Sequence, residues 1–94
     1  MDVESNNEHA DFMNVELTLC FTFADVAETN HKIGHTESAN SAISKAEQGY
    51  ATLRKFILNP NHSRRLTNED LRRITAEMQR LRERLDALQA AFRL

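Results

Sequence analysis

Turn-forming residues are scarce in this sequence, which has two glycines and one proline in 94 residues. Sandwiches and barrels need a tight turn after almost every strand, and glycine and proline supply many of those turns. The composition therefore predicts an all-α protein with long helices and few connections. A chain of this length has room for one apolar core, so we expect a single domain.

The first eleven residues contain few apolar side chains and four acids, which are Asp2, Glu4, Glu8 and Asp11. We predict a disordered acidic leader over residues 1–11 and a single helical domain over residues 12–94. No window approaches the length and apolar character of a membrane span, and no basic signal segment precedes the apolar region. With a single cysteine and no disulfide framework, the expected location is cytoplasmic.

Residues 12–33 fit two interpretations. From Met13 to Phe23 apolar and polar residues alternate, which is the period of a half-buried strand. Helical steps of three, four and seven are also present, through Phe12, Val15, Leu19, Val26 and Ile33. We favour a helix over about residues 12–33, because a single strand would have no partner in this chain. The alternative is a strand that two subunits exchange in a dimer.

Two further helices have clearer patterns. Gly34 ends the first helix, and a second is predicted over about residues 37–58, before Pro60 removes a backbone donor. Its apolar stripe is Ala39, Ile43, Ala46, Tyr50, Leu53 and Ile57. Thr67 resembles an N-cap, and a third helix over about residues 68–93 follows it. Its stripe is Leu71, Ile74, Met78, Leu81, Leu85, Leu88 and Phe92. Together these elements predict a three-helix antiparallel bundle.

The residues around Gly34 form a pattern of small and large side chains. Before the turn come an aromatic, an aliphatic and a small residue, and after it small, large and small: Phe23, Val26, Ala27, Ala39, Ile43 and Ala46. Residues 23–46 resemble one tetratricopeptide-type helical hairpin, and the resemblance implies hairpin geometry. It does not imply a peptide-binding groove, because such grooves need about three stacked repeats.

A second apolar stripe on the first helix comprises Met13, Leu17, Cys20, Phe21 and Ala24. It can belong to the core, or it can remain exposed and pair with another subunit or a partner helix. We predict the second outcome, with Met13, Leu17 and Phe21 as the interface and arginines of the third helix at its rim. The expected function is a small non-catalytic interaction or assembly module that forms a homo-oligomer.

Charge is divided unevenly along the chain. Residues 1–53 carry two lysines against nine acids, or −7, and residues 54–94 carry ten basic residues against five acids, or +5. Either the acidic half folds against the basic half, or a basic face binds an anionic partner. The candidate anion-binding residues are Arg64, Arg65, Arg72 and Arg73. Nucleic-acid binding is not favoured, because acids lie at intrahelical pair spacing from Arg73, Arg80 and Arg82.

Candidate catalytic or metal chemistry is sparse. Glu28 and His31 have the spacing of carboxylate-bridged metal bundles, with His35 one turn beyond, but such sites need a second copy of the motif. A metal-binding protein is therefore the weakest alternative. Cys20 has apolar neighbours and no nearby cation, which indicates a buried structural thiol. We predict no catalytic residue, no metal site and no cofactor.

Overall fold

The computed structural model describes residues 3–93, with side chains from Ala10 onward. Within this range every regular element is a helix: α1 spans Val3–Lys32, α2 spans Thr36–Leu58, α3 spans Pro60–Ser63 and α4 spans Asn68–Phe92. The prediction of an all-α protein is confirmed. Residues 12–23 lie inside α1, so the alternative of an exchanged strand is wrong.

The first helix begins earlier than the sequence indicated. Residues 3–11 continue α1 toward its N-terminus, where we predicted a disordered leader, and Met1 and Asp2 lie outside the described residues. Ala10 is already buried in the core. Apolar periodicity does not predict this extension, because residues 3–11 contain few apolar side chains.

Gly34 closes α1 in a left-handed conformation, with φ +84°. Its N–H donates to the carbonyl of His31 at 3.1 Å, and the N–H of His35 donates to that of Asn30 at 2.8 Å. This is the Schellman pattern of a helix C-terminus. His35 then occupies the N-cap position of α2 without a side-chain capping bond, and Thr36 is the first helical residue.

Two polar caps organise the connection from α2 to α4. Asn59 Oδ1 accepts the N–H of Asn61 at 2.9 Å, and Pro60 takes the first position of α3, where its missing N–H is harmless. The predicted N-cap of α4 is confirmed, because Thr67 Oγ1 accepts the N–H of Asp70 at 3.0 Å. The single turn α3 lies between the second and third predicted helices, so the described residues form four helices.

The three long helices share one core. Phe12 contacts Phe56 while Phe23 lies under Lys45, so α1 and α2 run antiparallel. Along α4, Arg73 bonds to Asn14 at one end and Phe92 stacks on His31 at the other, so α4 runs parallel to α1. The largest fully buried side chains are Met13, Leu53, Ile74, Leu81, Leu85 and Cys20.

Candidate interaction surface

The inner face of α1 packs against α2 through small residues. Cys20, Ala24 and Ala27 are buried on this face, and Ala42 and Ala46 are buried on α2. Where the helices meet, the α-carbon of Gly49 lies so close to the Sγ of Cys20 that a β-carbon there would overlap it. Small side chains allow this approach, which explains why this stripe of α1 faces inward.

The burial of this stripe corrects the predicted interface. Met13 and Leu17 belong to the core, and Phe21 is partly buried against it. In this fold, Met13 and Leu17 are inaccessible to another subunit. Both stripes are visible in the sequence, and the stripe with Phe12, Val15 and Leu19 has the larger side chains, which would hold α2 further away.

The opposite face of α1 carries the exposed apolar residues. We call this surface the outer α1 face, and its large members with their exposed fractions are Phe12 (43%), Val15 (57%), Leu19 (46%), Val26 (43%) and Ile33 (60%). Thr22 and Thr29 are exposed and fill the remaining positions of the row. These five large residues follow one line along a helix, which distinguishes them from the scattered exposed apolar residues of an ordinary surface.

Two of the three threonine hydroxyl groups on and beside the outer α1 face are bonded within the helix. Thr18 Oγ1 donates to the carbonyl oxygen of Asn14 at 2.9 Å, and Thr22 Oγ1 donates to that of Thr18 at 2.9 Å. Covering these threonines with another helix would therefore leave neither hydroxyl donor without an acceptor.

Two arginines of α4 hold one edge of the outer α1 face. Arg73 Nη1 donates to Asn14 Oδ1 at 2.8 Å. Arg84 bridges two acids of α1, at 2.7 Å from Asp25 Oδ1 and 3.2 Å from Glu28 Oε1. These contacts fix α1 against α4 while leaving Val15 and Leu19 exposed.

Arg82 joins α4 to α2, as Arg73 and Arg84 join α4 to α1. Its guanidinium makes two hydrogen bonds to the carboxylate of Glu47, at 2.8 and 2.5 Å, and a third to Asp86 at 3.1 Å. It also lies 4.9 Å from the ring centroid of Tyr50. The hydrogen bonds to Glu47 raise the pKa of Arg82 above its ordinary value. The basic half of the chain thus folds against the acidic half.

The four candidate anion-binding arginines do not form one site. Arg64 donates to Asn61 Oδ1 at 3.0 Å, and together with Arg65 it borders a surface hollow of about 300 Å³. Arg73 turns to Asn14 and to Asp70, whose carboxylate lies 3.6 Å away. Arg65 and Arg72 are exposed and have no ion-pair partner among residues 10–93.

Glu28, His31 and Cys20, the residues considered for chemistry, have structural contacts. Glu28 accepts from Arg84, and the His31 ring stacks on Phe92 with centroids 4.2 Å apart. Among the described residues no three acidic, histidine or cysteine side chains converge as metal ligands. Burial, with a smaller effect of Glu16, raises the pKa of the Cys20 thiol to about 11, so little thiolate forms at neutral pH.

No family model, curated protein or solved structure matches this chain. The resemblance of residues 23–46 to a tetratricopeptide-type hairpin therefore stays a prediction. Within the described range, no helix combines the length and the apolar character that crossing a bilayer requires.

Proposed function

We propose that the protein is a small, non-catalytic helical module that self-associates through the outer α1 face. In this proposal α1, α2 and α4 act as a three-helix bundle, and α3 belongs to the connection. One observation carries the proposal: five large apolar side chains stand exposed in a row along a helix whose opposite face is fully packed.

The energetic argument concerns the area that a partner would cover. Covering apolar surface stabilises an association by roughly 25 cal/mol for each Å² removed from water. Val15, Leu19 and Val26 are each about half exposed, so a second helix laid along the row would bury further apolar area at every turn. A partner can dock there without any rearrangement of the core, because the outer α1 face is already exposed and the inner face of α1 already packs against the core.

Charge supports a protein partner rather than a nucleic acid. Arg82 and Arg84 pair with acids of α2 and α1, and Arg73 pairs with Asp70 of its own helix, which neutralises part of the basic half. The described part of α4 has one aromatic residue, Phe92, and it stacks on His31 instead of standing free for a base.

The test is a measurement of mass in solution. We expect sedimentation equilibrium to give the mass of an oligomer for the natural sequence, and of a monomer for the double variant Val15→Asp, Leu19→Asp. Both positions are exposed, so the variant should retain its helical circular dichroism and a cooperative melt. Burying two carboxylates in an apolar seam is strongly unfavourable, so the Kd of association should rise at least a hundredfold.

Leu58→Asp is the matched control. Leu58 is 67% exposed at the end of α2, where it borders a surface hollow together with Arg82 of α4 and not the outer α1 face. This variant should associate as the natural sequence does. A natural chain that remains monomeric up to millimolar concentration would refute self-association, and an equal loss of association in both variants would refute the assignment to α1.

A further inference from the structure

The outer α1 face has the spacing of a coiled-coil seam. Its residues recur at alternating steps of three and four without interruption: Phe12, Val15, Leu19, Thr22, Val26, Thr29 and Ile33. A repeat of seven residues keeps one face of a helix toward one partner helix over its whole length. The row therefore fits a single helix lying along α1, and a second copy of α1 supplies such a helix.

Charges beside the seam decide the direction of that second helix. The edge on the α4 side carries Asp11, Thr18, Asp25 and Lys32, which are seven residues apart and all exposed. The edge on the α2 side carries Glu16, Phe23 and Asn30. In parallel pairing, each edge meets the opposite edge of the other helix, so Asp11 would face Glu16 of the second copy twice. In antiparallel pairing, each edge meets itself.

The same charges select one antiparallel register. When Asp11 faces Lys32 of the second copy, two symmetric ion pairs form at the ends of the seam. A shift of one heptad in one direction sets Asp25 against Asp25 of the second copy, and a shift in the other sets Asp11 against Asp25. Both shifts separate Asp11 from Lys32 of the second copy, so the two end ion pairs are lost, and both set Asp25, which Arg84 already partly neutralises, against another acid.

The selected register also fixes which seam residues meet, and one of its pairs joins two apolar side chains. It places Val15 opposite Val26, Leu19 opposite Thr22 and Phe12 opposite Thr29, with each pair repeated by the twofold axis. The Thr22 hydroxyl already donates to the Thr18 carbonyl, so its burial leaves that donor satisfied. Asp11 has no ion-pair partner among residues 10–93, and Lys32, whose side chain is 72% exposed, is free to turn from Glu28 at 3.8 Å.

We infer that two copies of the chain pair through α1 in an antiparallel arrangement, with Val15 opposite Val26 and Asp11 opposite Lys32. This inference rests on the proposed self-association and adds its geometry. The contact is isologous, so it closes as a dimer and leaves no copy of the surface open.

Cysteine pairing tests the direction of the helices. In the antiparallel dimer the two copies of Val15 lie about 16 Å apart along the helix axis, too far for a disulfide. Under mild oxidation we expect Val15→Cys alone and Val26→Cys alone to remain uncrosslinked, and an equimolar mixture of the two to give a linked dimer. Cys20 is buried and should not form a disulfide, and oxidation of the natural sequence is the control for its reactivity.

Exchange of the two end charges tests the register of the dimer. We expect Asp11→Lys to raise the Kd of the dimer about tenfold at low salt, Lys32→Asp to do the same, and the double exchange to restore it. Disulfides in the single cysteine variants, or tighter association of Asp11→Lys, would show parallel pairing and overturn the inference while keeping self-association. Dimers without any crosslink would overturn it as well, and monomers throughout would refute the proposed function itself.

Discussion

At the scale of single residues, the tightest constraint lies between Gly49 and Cys20. Both are small, and each leaves room for the other at the crossing of α1 and α2. Gly34 is constrained in another way, since its positive φ is a backbone requirement and a β-carbon there would meet no atom within 4 Å. The two glycines of the chain thus serve packing and turning respectively.

We expect Gly49→Ala to lower the free energy of unfolding by about 1 to 3 kcal/mol, because the added methyl group overlaps a buried sulfur. Adding Cys20→Ala removes that sulfur, so the double variant should lose less stability than the sum of the two single variants. Urea denaturation of the natural sequence, the two single variants and the double variant completes this double-mutant cycle.

Gly34→Ala serves as the comparison for this cycle. Its cost, about 1 kcal/mol of left-handed backbone strain, should be the same with or without Cys20→Ala. Additive losses for Gly49→Ala and Cys20→Ala would contradict the proposed overlap.

At the scale of helices, the sequence predicted α2 and α4 well because each has one dominant apolar stripe. The stripe of α4 alternates steps of three and four, and its central residues Ile74, Met78, Leu81, Leu85 and Leu88 are buried. On α1 there are two apolar stripes, and apolar character alone does not show which of them faces the core. Residue size separates them, because the stripe with Cys20 and Ala24 allows closer packing than the stripe with Phe12 and Leu19.

The caps of α2 and α4 lead to a prediction at this scale. We expect Thr67→Ala to reduce the free energy of unfolding by about 1 kcal/mol, because the Asp70 N–H loses its acceptor. Thr36→Ala is the matched control, since Thr36 is the first residue of α2 and makes no capping bond. Thermal melts should separate the two variants, and equal losses would show that the Thr67 bond contributes nothing.

At the scale of the whole molecule, charge holds α4 against the hairpin. Arg82 reaches Glu47 of α2, while Arg84 reaches Asp25 and Glu28 of α1. The uneven division of charge in the sequence predicted this attraction as one of two alternatives. The charge pattern did not separate arginines that pair with acids of another helix from Arg80, which pairs with Glu77 on its own helix. Spacing within one helix is visible in a sequence, whereas contacts across helices depend on their packing.

Arg82→Ala should therefore cost about 1 to 2 kcal/mol of unfolding free energy, since Glu47 loses two charge-assisted hydrogen bonds in a partly buried setting. Arg80→Ala should change it by less than about 0.5 kcal/mol, because that pair is exposed and local. Urea titrations at low and high salt measure both. A larger loss for Arg80→Ala would contradict this account of the interhelix contacts.

The elongated outline of the chain, 51 × 20 × 17 Å, affects its hydrodynamic behaviour. A rod tumbles and diffuses more slowly than a sphere of equal mass, so this monomer should elute from a sizing column ahead of spherical standards. An early peak would therefore mimic an assembled species. Stoichiometry is better taken from light scattering or ultracentrifugation, which report mass independently of molecular outline.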